Sequence, residues 1–282
     1  MFSEKLFNTF LEAALLEDIG DGDHSSLACI PPSSRGIVRL LVKDEGIIAG
    51  METARLIFNR IDPDLKFDPL VRDGDPVRNG DIAFVIDGSV LSILKSERLI
   101  LNVMQRMSGI ATLTSAYVKE LEGLKTRVLD TRKTSPGMRI LDKEAVRIGG
   151  GMNHRKGLYD MIILKDNHID FAGGISKAIA LVHDYLARKG KDLKIEIEAR
   201  NIRDVREILK AGGVDRIMLD NFSIPNTRKA VELIAGKYET ESSGRITLDN
   251  IREYAECGVD FISIGALTHQ VPSLDLSLKA IP

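Results

Sequence analysis

From Lys125 onward short, continuous apolar runs alternate with amphipathic segments, and few folds accept that alternation. The predicted strands are Arg127 to Asp130, Met161 to Lys165, Leu193 to Glu198, Arg216 to Asp220, Tyr238 to Ser242 and Phe261 to Gly265. Helical periodicity fills the gaps, most plainly at Ile175 to Arg188, Ile202 to Ala211, Asn226 to Ala235 and Leu248 to Cys257. Apolar strands joined through amphipathic helices are parallel strands with crossovers, in a barrel or in an open doubly wound sheet. The strand ends favour the barrel. Each run finishes in a polar or small residue: Asp130, Lys165, Glu198, Asp220, Glu241 with Ser242 and Ser243, and Gly265. A closed sheet gathers all of these on its carboxyl face, whereas an open one gathers only those at its switch point. With six strands visible, an incomplete parallel α/β barrel is the form to expect.

The first hundred residues read differently. Phe2, Leu6, Phe10, Ala14 and Leu15 predict a helix ending near Ile19-Gly20, Arg35 to Lys43 alternates as a strand, and Met51 to Ile61 is helical. Between Asp64 and Leu94 short apolar runs are punctuated by Asp-Gly and Asn-Gly turns, as in an antiparallel sheet. A long helix over Glu97 to Leu124, interrupted at Ser108-Gly109, then leaves this sheet. The expected division is an N-terminal α+β domain over 1–110 and a barrel domain over 111–282, with the first helix or the C-terminal tail packing across the boundary.

Chemistry concentrates between Asp130 and His168. Arg132 and Lys133 stand beside a Thr-Ser-Pro-Gly corner, Gly149-Gly150-Gly151 precedes His154 and Arg155, and Lys165 closes a strand. Arg forks hold carboxylates bidentately and glycines let backbone N–H groups approach a ligand, so the stretch predicts a pocket for a small, planar polyanion. Opposite these cations the barrel face would carry Glu196, Glu198 and Asp220. Small residues after the last two strands, Ser242-Ser243-Gly244 and Gly265, with His269 following, suit a phosphate. A carboxylate clamp, a phosphate seat and acidic groups able to hold magnesium or face a developing cation describe phosphoribosyl transfer.

Other classes are excluded by what is missing. The net charge of -2 argues against bulk nucleic-acid or anionic-membrane binding. Cys29 and Cys257 are isolated, so neither a disulfide framework nor a zinc site is expected, and a reducing cytosolic compartment is. Neither a signal peptide nor a membrane span is predicted. No Walker loop, dinucleotide fingerprint or nucleophile elbow occurs. Asp18, Asp21, Asp23 and His24 read as caps and turns rather than a metal cluster, and His168 as a residue that orders the site through hydrogen bonds.

Seven runs, Glu97-Arg98, Gln105 to Thr112, Asp130 to Thr134, Gly149 to Arg155, Lys165 to His168, Glu241 to Gly244 and Leu267 to His269, together resemble the quinolinate phosphoribosyltransferase family over nearly the whole chain. The resemblance implies conversion of quinolinate and phosphoribosyl pyrophosphate to nicotinate mononucleotide, pyrophosphate and carbon dioxide, a step of NAD synthesis that uses Mg2+. It implies an incomplete barrel beside an N-terminal α+β open sandwich, in a homodimer whose active site is shared, with further assembly to a hexamer left open. By matching motif, Arg132, His154, Arg155 and Lys165 would hold the quinolinate carboxylates, with Arg98 coming from the partner subunit. Lys133 would lie near the pyrophosphate and ribose, with Lys133 or Lys165 assisting decarboxylation. Glu198 and Asp220 would serve ribose and metal. Ser243, Gly244, Gly265 and His269 would seat the 5-phosphate. Arg245 and Gln270 depart from the family pattern. The competing readings are a related phosphoribosyltransferase for another anionic heterocycle and a silent nucleotide-binding barrel.

Overall fold

The computed structural model describes residues 4–281, in two compact units. Phe2, assigned above to the first helix, lies outside the described residues. The first unit comprises Met1–Ser115, Thr134–Gly150 and Ala266–Pro282; the second comprises Ala116–Lys133 and Gly151–Gly265. The chain re-enters the first unit twice, at Thr134–Gly150 and at Ala266–Pro282.

In the first unit α1 (Glu4–Ile19) and α2 (His24–Cys29) precede a sheet built from β1 (Arg35–Val42), β3 (Lys66–Pro69) and β5 (Ile82–Ser89), with a ribbon of β2 (Gly46–Ile47) and β4 (Pro76–Val77). Asp23 caps α2 by accepting from Ser26 N, a cap of the kind read for the Asp21–Ser26 run. Between β2 and β3 lies α3 (Met51–Ile61), whose Ile57 and Phe58 are fully buried. Phe58 meets Phe84 edge-on at 5.8 Å, and Phe67 meets Phe84 at 4.8 Å, so the core here is largely hydrocarbon. The chain ends on β12 (Leu276–Ile281), which pairs antiparallel with β1 from Ile37↔Ile281 to Val42↔Leu276 and gives the sheet the order β12-β1-β5-β3. That pairing is why residues 266–282, including the short α11 (Ala266–His269), belong to this unit.

One helix, α4 (Val90–Glu120), is longer than the sequence predicts and is unbroken at Ser108-Gly109. Both residues serve contacts of the first unit. Ser108 Oγ donates to Ala49 O and accepts from Ala49 N, and a Cβ on Gly109 would lie 2.1 Å from Pro272 O. The glycine removes bulk where the 266–282 segment crosses and leaves the helix intact. Likewise, a Cβ on Gly149 would lie 2.4 Å from Ala111 O on α4. Gly149 ends α5 (Arg139–Ile148), and Asp142 of α5, fully buried, takes both Arg106 Nε and Nη2 at 2.8 Å. This fork fixes α5 to α4 and places 134–150 in the first unit.

The second unit holds the parallel strands. These are β6 (Arg127–Leu129), β7 (Ile162–Leu164), β8 (Ile195–Ala199), β9 (Arg216–Asp220), β10 (Glu239–Ser243) and β11 (Phe261–Ser263), in the order β6-β11-β10-β9-β8-β7. All neighbours are parallel, and β6 and β7 remain as edges, so the expected barrel is incomplete. Connecting helices are α6 (Asp166–Ala172), α7 (Ile175–Lys189), α8 (Ile202–Ala211), α9 (Ile224–Ile234) and α10 (Ile251–Glu256). Ile217 and Leu219, on one face of β9, are buried hydrocarbon. The register Glu196↔Arg216, Glu239↔Arg216 and Glu241↔Phe261 puts charged residues together on the other.

Candidate active site

Parallel pairing brings every strand of the second unit to the same carboxyl end, and most of the predicted site residues lie there. Asp130, fully buried just past β6, organises the first loop: its Oδ1 accepts His154 N at 2.8 Å and its Oδ2 accepts Asn153 Nδ2 at 2.7 Å. The backbone itself doubles back, with Met152 N donating to Val128 O and Asp130 N to Met152 O. Gly150, at φ +89, supplies the left-handed residue that starts this return. Two glycines of the Gly149-Gly150-Gly151 run thus meet the chain's own needs, packing and a turn, where the sequence suggested room for a ligand.

Arg132 and Arg155 are half-buried at this end. Burial, and then the guanidinium of Arg132, hold the Arg155 pKa below its ordinary value, while Glu196, Asp160 and Glu198 pull the other way. An arginine stays protonated regardless. Two guanidinium groups that act on one another at one strand end suit a carboxylate or phosphate as ligand. Arg155 Nη1 also donates to Met161 O at 3.2 Å, which fixes its direction.

Lys165, next to the end of β7, pairs with Glu198 of β8 at 2.5 Å between Nζ and Oε1. The second oxygen of Glu198 accepts Asp166 N at 3.2 Å. His168, on the first turn of α6, accepts Lys165 N on its Nδ1 at 3.0 Å and so orders the backbone of the lysine. At the end of β9 Asp220 accepts Asn221 Nδ2 at 2.8 Å, and Asn221 N donates to Ser243 O at 2.8 Å. Asn221 adopts φ 54 to do both. A Cβ on Gly244 would lie 2.4 Å from Asn221 Oδ1, so glycine is required there for packing as well as for its φ of +93. Arg245, flagged as a departure, takes the left-handed φ of 55 that glycine would accept more readily. Ser243 and Gly265 are half-buried at neighbouring strand ends, and Lys133 is exposed. Arg98 on α4 and His269 at the end of α11 are exposed residues of the first unit.

Beneath lies a buried layer in which the sequence named His154 and Glu196 but missed their partners Glu241 and Arg216. His154, 8% exposed, has its Nε2 3.1 Å from Glu196 Oε2 and 3.3 Å from Glu241 Oε2, both carboxylates being fully buried. Arg216 Nη1 lies 2.9 Å from Glu241 Oε2, its Nη2 lies 3.0 Å from Glu239 Oε2, and its guanidinium stacks 4.0 Å over the Phe261 ring. Burial opposes the charge of His154, yet the two carboxylates prevail and push its pKa up to about 9. Burial and Glu241 push Glu196 up, whereas His154, Ser263 and Arg216 hold Glu241 down despite its burial. Ligand-type atoms of His154, Glu196 and Glu241 lie within 4.8 Å of one another here, and the Arg216 Nη1 cation stands 2.9 Å from Glu241 and 3.8 Å from Glu196. The one available signal was the two-residue spacing of Glu239, Glu241 and Ser243 with Arg216, which puts charges on one face of a sheet.

For magnesium the relevant donors are Glu198 and Asp220, both hard oxygen ligands on adjacent strands. Glu198 has both oxygens engaged and Asp220 is half-buried with a bond from Asn221 to only one. Such a pair fits an ion that arrives with phosphate ligands and keeps part of its water, rather than one caged by protein alone.

Comparison with known proteins agrees with this geometry. Family models described as quinolinate phosphoribosyl transferase, N-terminal domain and C-terminal domain, match residues 23–108 and 110–279. The chain is 44% identical to quinolinate phosphoribosyltransferase [decarboxylating] 1b of Nicotiana tabacum, over 95% of this chain and 81% of that one. It is 40% identical to the probable nicotinate-nucleotide pyrophosphorylase [carboxylating] of Synechocystis, over 98% and 93%. The crystal structure of NadC from Streptococcus pyogenes superposes with a TM-score of 0.93 at 38% identity, covering 100% of this chain and 99% of that one. The chain belongs to the quinolinate phosphoribosyl transferase family.

Proposed function

We propose that this protein transfers phosphoribosyl from phosphoribosyl pyrophosphate to quinolinate with loss of carbon dioxide, giving nicotinate mononucleotide and pyrophosphate for NAD synthesis. The observation that carries the reading is the juxtaposition of Arg132 and Arg155 at the strand ends, beside the Lys165–Glu198 pair. A dicarboxylate supplies two anions to that cluster, and a monocarboxylate only one. Arg132, His154, Arg155 and Lys165 bind and orient the ring, and Arg98 of a partner subunit completes the grip in a homodimer. Orientation sets the ring nitrogen toward the ribose, whose developing positive charge is faced by Glu198 and Asp220. Once the nitrogen carries ribose, the ring is a pyridinium. The adjacent carboxylate then leaves with its electrons stabilised beside that charge, and the site has to exclude water while a proton is delivered. Lys133, exposed near the pyrophosphate position, and Lys165 are the two candidates to supply that proton. Ser243, Gly244, Gly265 and His269 take the 5-phosphate. Glu198 and Asp220 would hold Mg2+, which when bound neutralises charge on the leaving pyrophosphate.

A cytosolic location is also proposed: Cys29 is exposed and Cys257 buried, both free, and no helix among the described residues is long and apolar enough to cross a membrane. Relatives with chloroplastic or mitochondrial in their names make fractionation of the native host the check. The main test is direct. Incubation with quinolinate, phosphoribosyl pyrophosphate and Mg2+ should release carbon dioxide and nicotinate mononucleotide in equal amounts, and no release with both ligands bound would overturn the reading. Mixing Arg98→Ala with Arg155→Ala subunits should restore turnover in some shared sites; a mixture as inert as its parts would argue against a shared pocket.

A further inference from the structure

One residue joins the acid at the end of β9 to the phosphate seat at the end of β10. Asn221 directly follows Asp220, and its main-chain N–H donates to Ser243 O at 2.8 Å, which carries the β9–β10 ladder one residue past the pair Asp220↔Ser243. Its Nδ2 turns back to donate to Asp220 Oδ2 at 2.8 Å. The reverse orientation would set an amide oxygen against the carboxylate, so the donor end must face Asp220. Asn221 does this at a left-handed φ of 54, which asparagine tolerates better than most residues because its short amide can bond locally. The same carboxamide lies against Gly244, where a Cβ would stand 2.4 Å from Oδ1 and 2.6 Å from Cγ. Farther along, Asn250 accepts Thr247 N at 2.9 Å and donates from Nδ2 to Arg245 O at 3.3 Å. The 243–247 loop is held at both ends by an asparagine.

We propose that Asn221 is a positioning residue for the phosphoribosyl donor: its amide turns Asp220 so that Oδ1 faces the ribose, and its contact with Gly244 sets the main chain that receives the 5-phosphate. The inference rests on the proposed reaction and adds to it a residue that acts through Asp220 and Gly244. An aspartate without a partner rotates about its side-chain bonds, and one donor on Oδ2 removes that freedom while leaving Oδ1 to accept. A neutral donor suits the task. Lysine or arginine in the place of the amide would orient the carboxylate but also offset the negative charge that a developing positive centre on ribose requires. Gly244 answers from the loop side. With a side chain at 244 the amide could not lie where it bonds Asp220, so the acid, the amide and the glycine form one unit.

The test has a structural arm and a kinetic one. Asn221→Gly keeps the left-handed φ but has no amide, and Asn221→Asp keeps size and φ but replaces the donor by a second carboxylate. Crystal structures should show Asp220 in one orientation in the wild type and turned, or in several orientations, in Asn221→Gly. An Asp220 carboxylate that does not accept Asn221 Nδ2 in the wild type, or that keeps its orientation in Asn221→Gly, overturns the proposal whether or not the protein turns over. In the kinetic arm both variants should raise the KM for phosphoribosyl pyrophosphate about tenfold and change the quinolinate KM by no more than about twofold. An unchanged donor KM in both would reduce Asn221 to a turn residue, and equal losses for the two substrates would make its role structural. If either variant fails to fold, the other and the wild-type structure still decide. A wild type that forms no product would sink the assigned reaction. Calorimetry with ribose 5-phosphate then reads the positioning role: wild type should bind it about tenfold more tightly than Asn221→Gly, and equal binding would end the proposal.

Discussion

The sheets of the two units differ in how much charge they bury. In the first, Leu40, Phe58, Phe84, Ile86 and Met104 are at most 1% exposed, and the sheet packs hydrocarbon on hydrocarbon. In the second, one face of the parallel sheet buries Glu196 and Glu241 completely and Arg216 nearly so, with His154 laid over them. Hydrophobic burial stabilises in proportion to area and needs only the right volume, whereas a buried ionic cluster about breaks even at best and fails when one member is removed. The first unit is therefore built for stability, and the second gives up stability to hold a constellation of charge.

That contrast can be broken by substitution. Phe84→Ala should destabilise by about 3–5 kcal/mol, since a buried aromatic leaves a cavity. Denaturant melts should show the loss, and the folded fraction should keep its KM for both substrates; a changed quinolinate KM would mean the two kinds of burial are not separable. Arg155→Ala should do the reverse. Loss of a bidentate grip costs about 2–3 kcal/mol in substrate binding, on the order of 30- to 150-fold in quinolinate KM, with a melt close to wild type. Equal effects on the ribosyl donor would misplace the clamp.

The same contrast is visible in how much could be read in advance. All six parallel strands are recognisable, as are α3 and α8 residue for residue, because burying one face imposes a period on the sequence. Ser108-Gly109 looked like a helix break and is not, since the contact with Pro272 that explains the glycine comes from a segment more than 150 residues away. β12 went unread for the same reason: its partner β1 is at the other end of the chain. In the candidate site, the strand-end positions of Arg132, Lys165, Glu198 and Asp220 were legible, because each follows or ends a strand. Glu241 and Arg216 were not assigned, because what matters is which face of the sheet they share and how deep they lie, and neither is written in local spacing.

Further effects sharpen the comparison. His154 has a folded pKa of about 9 against 6.5, a raised value, so its contribution to stability is fully present below pH 6.5 and is lost as pH rises toward 9. Stability from melts between pH 6.5 and 9.5 should fall by about 3 kcal/mol beyond what surface groups explain, and a flat profile would mean the cluster does not hold that proton. Least of all, Glu52→Ala should cost no more than about 0.5 kcal/mol, because the Glu52–Arg55 pair on α3 is half-exposed on both sides.

The central claim is that the second unit's cations are arranged for two carboxylates on one ring, and calorimetric titration with quinolinate and with nicotinate reads it most directly. Quinolinate should bind at least tenfold more tightly than nicotinate to the wild-type protein, and Arg155→Ala should erase most of that difference. Nicotinate binding as tightly as quinolinate, or a preference for quinolinate that survives in Arg155→Ala, would contradict it.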